Sequence, residues 1–435
     1  MSNFPATSSF RSVPKTGVIY VMHRANALGF SYGDPAWANL GQGSPETGPL
    51  PDAPPRVDTL HLDPANHRYG PVQGQRPLRQ AVADFYNHHF RQGMASQYTW
   101  RNVSIAGGGR VALTRLAAAL GDVNMGHFLP DYTAYEELLA TFKSFVPIPI
   151  LLSSREQFRI APPMLEREIV GRGLSALLAS NPCNPTGQLV EGNELAEWVR
   201  IARDNRCTMI LDEFYSHYIY TENDGEGPKM VSAAAFVEDV NEDPIIIVDG
   251  LTKNWRYPGW RVSWTVGPEE VIETVASAGS FLDGGANNPF QHQVVPLLSS
   301  GVALQETVAV QATFRQKRDY MLTRLDEMGI VVPQPPQGTF YCWADLSQLP
   351  APLNDGMQFF EAALQERVIT VPGVFFDVNP GKRRSNARYQ HFVRLSFGPE
   401  MAQLERGLDG LARLVAKQGS AAPHANGRAK VGAMR

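Results

Sequence analysis

The stretch DGLTKNWRYPGWR, residues 249–261, directly follows the apolar run Ile245–Val248. Four β-branched residues in succession predict a strand that is buried on both faces, as in a parallel sheet. Residues just beyond the carboxyl end of such a strand point into the crevice where α/β proteins bind ligands. Lys253 is therefore expected in that crevice, where desolvation would lower its pKa and make its amine nucleophilic. A lone lysine at such a position is more often a surface residue.

Two other polar residues follow predicted strands in the same way. Asp212 ends the run Met209–Leu211, and Asn184 lies in SNPCNPTG, just after the run Ala176–Ala179. Taken singly, the aspartate is typical of a helix N-cap and the second motif of a Pro/Gly turn. Together with Lys253, they place an amine, a carboxylate and an amide at one edge of the predicted sheet.

A glycine turn, Gly107-Gly108-Gly109, follows the strand-like run Val103–Ala106 and opens a predicted helix. Backbone N–H groups at a helix N-terminus bind phosphate, and glycine allows the phosphate to approach closely. A glycine-rich turn alone is common. Arg261 adds a positive charge that could bind the same phosphate.

The order of these elements predicts the fold class. Strand candidates such as Phe145–Leu152 alternate with helical stretches such as Glu191–Asp204, which is typical of an α/β fold with a mostly parallel sheet wrapped by helices. The first forty or so residues are interpreted as irregular. The predicted units are an N-terminal arm (1–55), a large domain (56–300), a smaller α+β C-terminal domain with part of the arm (301–416) and a disordered tail (417–435).

Composition excludes several classes of protein. The 435 residues carry a formal net charge of -4 with no long run of one sign, so we expect no nucleic-acid partner. The three cysteines are widely spaced and form no CxxC pair, which predicts neither a disulfide nor a metal site. No apolar run approaches the ~20 residues that span a membrane, and the N-terminus lacks the apolar core of a signal peptide. We therefore expect a cytoplasmic protein.

The motifs Asn-Pro-Thr-Gly, Asp-Glu-x-Tyr, Thr-Lys and Pro-Gly-x-Arg occur here in this order over residues 184–261. This combination resembles the class I/II aminotransferases, which are pyridoxal 5′-phosphate (PLP) enzymes of fold type I. The resemblance covers roughly residues 40–411. It implies a homodimer with shared active sites that moves the amino group of an L-amino acid to a 2-oxo acid, through a Schiff base on Lys253.

Two alternatives share this fold. A PLP-dependent lyase, cyclase or oxidase of specialised metabolism would use the same residues, because fold does not settle function. Sensor domains of transcription regulators also keep the lysine, but they bind DNA through an added basic domain, and the sequence gives no sign of one.

The resemblance also assigns residues to the cofactor. Lys253 would carry the cofactor and move the proton, Asp212 would pair with the pyridine nitrogen so that the ring accepts electrons, and Tyr215 would hold the 3-oxygen. The other implied cofactor contacts are Gly108, Gly109, Arg110, Thr252 and Arg261 at the phosphate, Tyr132 on the ring, Asn184 at the 3-oxygen, and Tyr69 at the phosphate of the neighbouring subunit.

For the substrate, the resemblance implies that Arg394 binds the α-carboxylate, together with Asn184. An arginine in the apolar run FVRLSF is costly to bury unpaired, so an anionic ligand is a physical expectation as well. Gly43 lies in the segment LGQGSP, residues 40–45, which resembles the arm that closes over substrate.

The sequence departs from the family pattern at three places. Gly250 stands where many members have a serine that contacts the phosphate. Residues 287–291 lack the second arginine of dicarboxylate-specific members, although Arg256 could substitute for it. Arg110 occupies a position that is usually small and hydroxylic, and it could serve either the phosphate or an acidic substrate.

Overall fold

A computed structural model describes residues 17–142, 144–222 and 228–421. The strands are β1 Ala38–Asn39, β2 Val103–Ala106, β3 Asn124–Leu129, β4 Val146–Leu151, β5 Ala176–Ser180, β6 Thr208–Asp212, β7 Ile245–Gly250, β8 Ser263–Val266, β9 Tyr341–Asp345, β10 Val368–Ile369, β11 Val371–Pro372 and β12 Phe392–Ser396. The helices are α1 Gly17–Ala27, α2 Arg76–Phe90, α3 Gly109–Ala119, α4 Tyr135–Thr141, α5 Pro162–Gly171, α6 Gly192–Asp204, α7 Glu269–Leu282, α8 Asn288–Val294, α9 Ser300–Glu327, α10 Gly356–Gln365 and α11 Met401–Ala421.

A seven-stranded sheet organises the larger part of the chain, in the order β2-β8-β7-β6-β5-β3-β4. Only β8 runs antiparallel to its neighbours in this sheet. Strands β5 and β7 are buried along their whole length, and β6 is buried except at Thr208, which explains their apolar sequences. Ser180 pairs with Asp212, and Asp212 pairs with Val248, so the carboxyl ends of the three strands lie side by side. The predicted α/β fold class is confirmed.

The C-terminal part contains a three-stranded antiparallel sheet in the order β11-β12-β9. A short parallel pair joins β1, near the N-terminus, to β10, through Ala38 beside Val368. The N-terminal segment is therefore attached to the C-terminal part of the chain. The division of the chain into an arm, a large domain and a small domain stays a prediction.

The interpretation of the first forty residues as irregular was wrong for 17–27, which form α1. Two contacts with the C-terminal part hold this helix. The Arg24 guanidinium donates to both carboxylate oxygens of Glu361 at 2.9 and 2.7 Å, and the Tyr20 ring packs 5.5 Å from that of Phe375. Short helices depend on tertiary contacts rather than on their own propensity, and such contacts leave little trace in the local sequence.

The predicted disordered tail begins too early. Helix α11 continues to Ala421, and the side chains of Arg413 and Lys417 pair with Glu366 at 3.2 and 2.5 Å. These ion pairs give the basic end of the helix a partner that the sequence pattern does not reveal. The rest of the predicted tail, 422–435, lies outside the described residues. In the described ranges, no helix has the length and apolar character to cross a membrane.

Candidate active site

A cavity of about 660 Å³ lies at the carboxyl ends of β5, β6 and β7. Its walls come from both parts of the fold and from the N-terminal segment. The predicted site residues that line it are Gly43, Gly109, Arg110, Tyr132, Asn184, Asp212, Tyr215, Thr252, Lys253, Arg261 and Arg394. The fold thus brings together residues that are up to 351 positions apart in the chain, counted from Gly43 to Arg394.

The glycine turn and Arg261 form one side of this cavity. Gly108 has a φ of +99°, and a Cβ added there would lie 2.0 Å from Nη2 of Arg261, so only glycine allows the guanidinium this position. Gly108 itself is not among the lining residues. Helix α3 begins at Gly109 and presents its free N–H groups here. The buried hydroxyl of Thr252 has no hydrogen-bond partner among the described residues.

Gly250 has a packing reason for being glycine. A Cβ at this position would lie 2.6 Å from Cα of Ser263 and 2.7 Å from the carbonyl oxygen of Val262. Both contacts are with the backbone of the segment that leads into β8, so they cannot move aside cheaply. The departure from the family pattern therefore follows from the close approach of β7 and β8.

Asp212 lies at the end of β6, fully enclosed by protein. Burial raises the pKa of its carboxyl group to about 6, against the opposing effect of a hydrogen bond from Tyr135 and of the charge on Lys253. The Tyr135 hydroxyl donates to Oδ2 of Asp212 at 2.8 Å. Sequence reasoning missed Tyr135, although it lies only three residues after Tyr132, at the start of α4, and that closeness to a predicted site residue is the signal that could have found it.

Lys253 lies partly buried among positive charges. Burial, together with the nearby guanidinium groups of Arg394, Arg261 and Arg110, lowers the pKa of its amine to about 7. The amine donates a hydrogen bond to the carbonyl oxygen of Gly43. A large fraction of this amine is thus neutral at pH 7, and the neutral form is the nucleophilic one.

Arg394 crosses the cavity from β12. Its Nη1 donates to Oδ1 of Asn184 at 2.8 Å and its Nη2 to the carbonyl oxygen of Gly41 at 2.7 Å, while the guanidinium lies 4.1 Å from the centre of the Tyr341 ring. The Tyr341 hydroxyl is 2.7 Å from that of Tyr215. Tyr341 was missed because it begins β9, far along the chain from every recognised motif.

Besides Gly108, two further predicted residues lie outside the cavity. Tyr69 is fully exposed, so it does not reach the site of its own chain. Arg256, considered as a substitute for a second substrate arginine, is buried behind Lys253, where its Nε donates to Oε1 of Glu306 at 2.7 Å. Because it is paired and does not line the cavity, Arg256 is not available to a substrate.

Sequence reasoning also missed an apolar wall of the cavity. Helix α1 contributes Val18, Ile19 and Met22, and Tyr32 follows just beyond it. We call these four residues the α1 wall. Nothing marked them in advance, because the segment was interpreted as irregular.

The family model described as aminotransferase class I and II matches residues 35–411. The chain belongs to this family. Family members use PLP, and the chain is a transaminase; the comparisons give no support to a lyase, cyclase or oxidase. A probable N-succinyldiaminopimelate aminotransferase of Mycobacterium tuberculosis is 29% identical over 372 residues, covering 82% of this chain and 87% of that protein.

Other relatives carry different names. The aspartate/prephenate aminotransferase of Thermus thermophilus is 27% identical, covering 80% of this chain and 84% of its own. Among solved structures, aspartate aminotransferase from Thermus thermophilus with maleate superposes with a TM-score of 0.75 at 22% identity, covering 93% of this chain and all of that one. An aromatic aminotransferase from Pyrococcus horikoshii gives 0.72 at 21% identity, over 92% of this chain and 99% of that one. These likenesses establish the fold.

Proposed function

We propose that this chain holds PLP in the cavity through Lys253 and moves the amino group of an α-amino acid to a 2-oxo acid. One observation carries the proposal: a partly buried amine, a buried carboxylate and a buried guanidinium, those of Lys253, Asp212 and Arg394, line the same cavity. Amine attachment, ring protonation and carboxylate binding are the three tasks that a PLP transaminase requires of its side chains.

The residues present fit this cofactor. A phosphate group would find the N–H groups of α3, the unpartnered hydroxyl of Thr252 and the guanidinium that Gly108 admits. Arg110 and Arg261 add positive charge there, and both line the cavity. Asp212 is the residue to hold the pyridine nitrogen, with Tyr132 against the ring and Tyr215 and Asn184 near the 3-oxygen.

When bound, PLP supplies an electron sink for the charge that develops at the substrate Cα. The side chains do the remaining work. With a pKa near 7, the amine of Lys253 is a base that can accept the proton lost from that carbon. The Tyr218 hydroxyl donates to the carbonyl oxygen of Lys253 at 2.9 Å and so orients the segment that carries this base.

Arg394 is the residue to orient the substrate. Its two Nη atoms can donate side by side to a carboxylate, which fixes both the position and the direction of the amino acid. At present these atoms contact neutral oxygens, those of Asn184 and Gly41. A carboxylate would offer the same two donors a full negative charge, which the neutral oxygens do not carry.

We also propose a homodimer with shared sites. Tyr69 is fully exposed, and the exposed side chains of Leu60 and Leu62 lie nearby in sequence. A tyrosine in this position fits a residue that contacts the cofactor phosphate of the neighbouring subunit. Mixing inactive Lys253→Ala and Tyr69→Phe subunits should restore activity in hybrid dimers, whereas no recovery would contradict shared sites. The cytoplasmic location stays a prediction.

The function is tested by titrating the holoenzyme with L-amino acids and following the absorbance of the cofactor. We expect stoichiometric conversion to the amine form of the cofactor, with recovery when a 2-oxo acid is added. Release of ammonia without the amine form would instead indicate a lyase. Borohydride should fix the cofactor on Lys253, and the Lys253→Ala variant should trap none, whereas a Lys229→Ala control should trap it normally. Labelling of another lysine would contradict the assignment.

A further inference from the structure

We propose that the side chain of the substrate is uncharged and apolar and that it packs on the α1 wall. This inference rests on the proposed function, since it takes the positions of cofactor and substrate from it. It names the class of amino acid that the same site accepts.

Each charged group of the cavity is assigned either to the cofactor or to the α-carboxylate of the substrate. Among the described residues that line it, four are cationic, Arg110, Lys253, Arg261 and Arg394, and one is acidic, Asp212. A bound phosphate ester brings a charge of about -1.5 to -2, which two guanidinium groups balance. Arg394 balances the α-carboxylate of the substrate, and Asp212 balances the pyridine nitrogen. Lys253 is consumed by cofactor attachment. Among the described residues that line the cavity, no charged group is left to recognise an acidic or basic side chain.

This count depends on assigning Arg110 to the phosphate, and its surroundings support that assignment. Arg110 lies at the start of α3, next to the free N–H groups of that helix. Its Nε and Nη2 donate to the hydroxyl of Tyr132 at 3.3 and 3.2 Å, on the side of the cavity given to the cofactor. Burial lowers the pKa of Arg261, and the charge of Arg110 lowers it further. Two such neighbouring cations favour one shared dianion.

The α1 wall brings apolar surface to the cavity. Ile19 is 53% exposed and Tyr32 70% exposed, although both line the cavity. Val21 and Ala25, on the neighbouring part of the helix surface, pack in the core and so hold α1 with its wall residues at the cavity. An apolar substrate side chain would gain free energy by covering this surface. A charged one would lose its hydration there without finding a partner.

The test compares donors by kcat/KM for conversion of the cofactor to its amine form. With the PLP holoenzyme, we expect leucine, methionine and phenylalanine to exceed alanine, and to exceed aspartate and glutamate, by roughly tenfold or more. Ile19→Ala should lower the value for leucine and phenylalanine roughly tenfold and leave alanine unchanged. Leu28→Ala is the matched control, because Leu28 is also exposed, directly follows α1 and does not line the cavity.

The Arg110→Gln variant tests whether Arg110 serves the phosphate. If Arg110 serves the phosphate, the affinity for PLP falls and, at saturating PLP, the ranking of donors is unchanged. If only aspartate and glutamate lose activity while PLP affinity is unchanged, Arg110 recognises an acidic side chain and the inference is overturned. Preference of the unmodified enzyme for dicarboxylates would overturn it too. Failure of the proposed function itself would look different, since no donor would then convert the cofactor.

Discussion

Two buried arginines on either side of Lys253 differ in whether the protein supplies an anionic partner for their charge. Arg256, behind the lysine, is 0% exposed and forms an ion pair with Glu306. Arg394, across the cavity, is 1% exposed and contacts only neutral oxygens and aromatic rings among the described residues. A buried charge is costly unless it is paired. The protein supplies the partner of Arg256, whereas the partner of Arg394 is expected to be the substrate.

Removing the carboxylate behind the lysine should have the largest effect. Glu306 also accepts from Arg56 at 3.4 Å, so Glu306→Gln leaves two enclosed guanidinium groups without a carboxylate. We expect the free energy of unfolding to fall by about 3–5 kcal/mol, measured by urea denaturation. The control is Glu197→Gln, which breaks an exposed pair with Arg200 and should cost less than about 1 kcal/mol. Equal losses of unfolding free energy in the two variants would contradict the expected difference between a buried and an exposed ion pair.

Removing the arginine of the cavity should act on catalysis instead. Arg394→Leu deletes the group that binds the α-carboxylate, and a lost charge-assisted fork costs about 2–5 kcal/mol, so kcat/KM should fall by roughly 30-fold or more. The free energy of unfolding of the cofactor-free protein should not fall, because no carboxylate of the protein loses its partner. A stability loss comparable to that of Glu306→Gln would show that Arg394 is a structural residue.

The crowding of cations in the cavity has a measurable consequence for Lys253. Because burial and nearby guanidinium groups lower the pKa of its amine to about 7, the reactive neutral form should be nearly complete by pH 8. The rate at which the cofactor-free protein captures PLP should therefore rise roughly tenfold from pH 6 to pH 8 and then level off. An ordinary lysine, with its higher pKa, would continue to gain reactivity up to pH 10.

The Arg394→Leu variant sharpens this prediction. After desolvation, the charge of Arg394 is the largest cause that lowers the pKa of Lys253. Its removal should shift the midpoint of the capture profile to higher pH. A midpoint that does not change would mean that the two side chains are electrostatically independent. The grouping of cations around the lysine would then not explain its low pKa.

The same contrast explains how much of the site could be predicted. Three site residues lie at or just beyond the ends of apolar strands: Asp212 ends β6, Lys253 lies three residues after β7, and Asn184 lies four residues after β5. Strand patterns and motifs therefore located them together. The residues that were missed, Tyr135 and Tyr341, reach the site by packing. Tyr341 comes from β9, whose position beside β12 depends on pairing across the C-terminal sheet.

The elements of the fold divide in the same way, into those that local sequence predicts and those that depend on distant contacts. Strands β5 to β7, buried at every position but Thr208, are apolar runs in the sequence, and they were predicted close to their true ends. Helix α1 was missed because its stability comes from partners such as Glu361 and Phe375, more than 330 residues away. The packing reason for Gly250 could not be predicted either, because it depends on the contact of β7 with β8, a strand that was not predicted.

Asp131 shows a third way to accommodate a buried ionisable group, and it should give the smallest effect. Its Oδ1 accepts from the Ser180 hydroxyl at 2.9 Å and from the backbone N–H of Tyr132 at 2.7 Å, while Oδ2 has no partner in the described part of the chain. Burial raises the pKa of this carboxyl group well above its usual range. The protein has thus neither paired the charge nor left it for a ligand, but has favoured the neutral form.

Asp131→Asn should consequently be nearly silent at pH 7. The amide is neutral, has the same shape and can keep both accepted hydrogen bonds, so we expect the free energy of unfolding to change by less than about 1 kcal/mol. Asp131→Ala, which leaves the Ser180 hydroxyl and the Tyr132 N–H without their acceptor, should cost about 1–3 kcal/mol. If Asp131→Asn were as damaging as Asp131→Ala, the carboxyl group would have to be charged, and a buried cation would have to lie near it. Asp131 would then belong with Arg256 as a group whose partner the protein itself supplies.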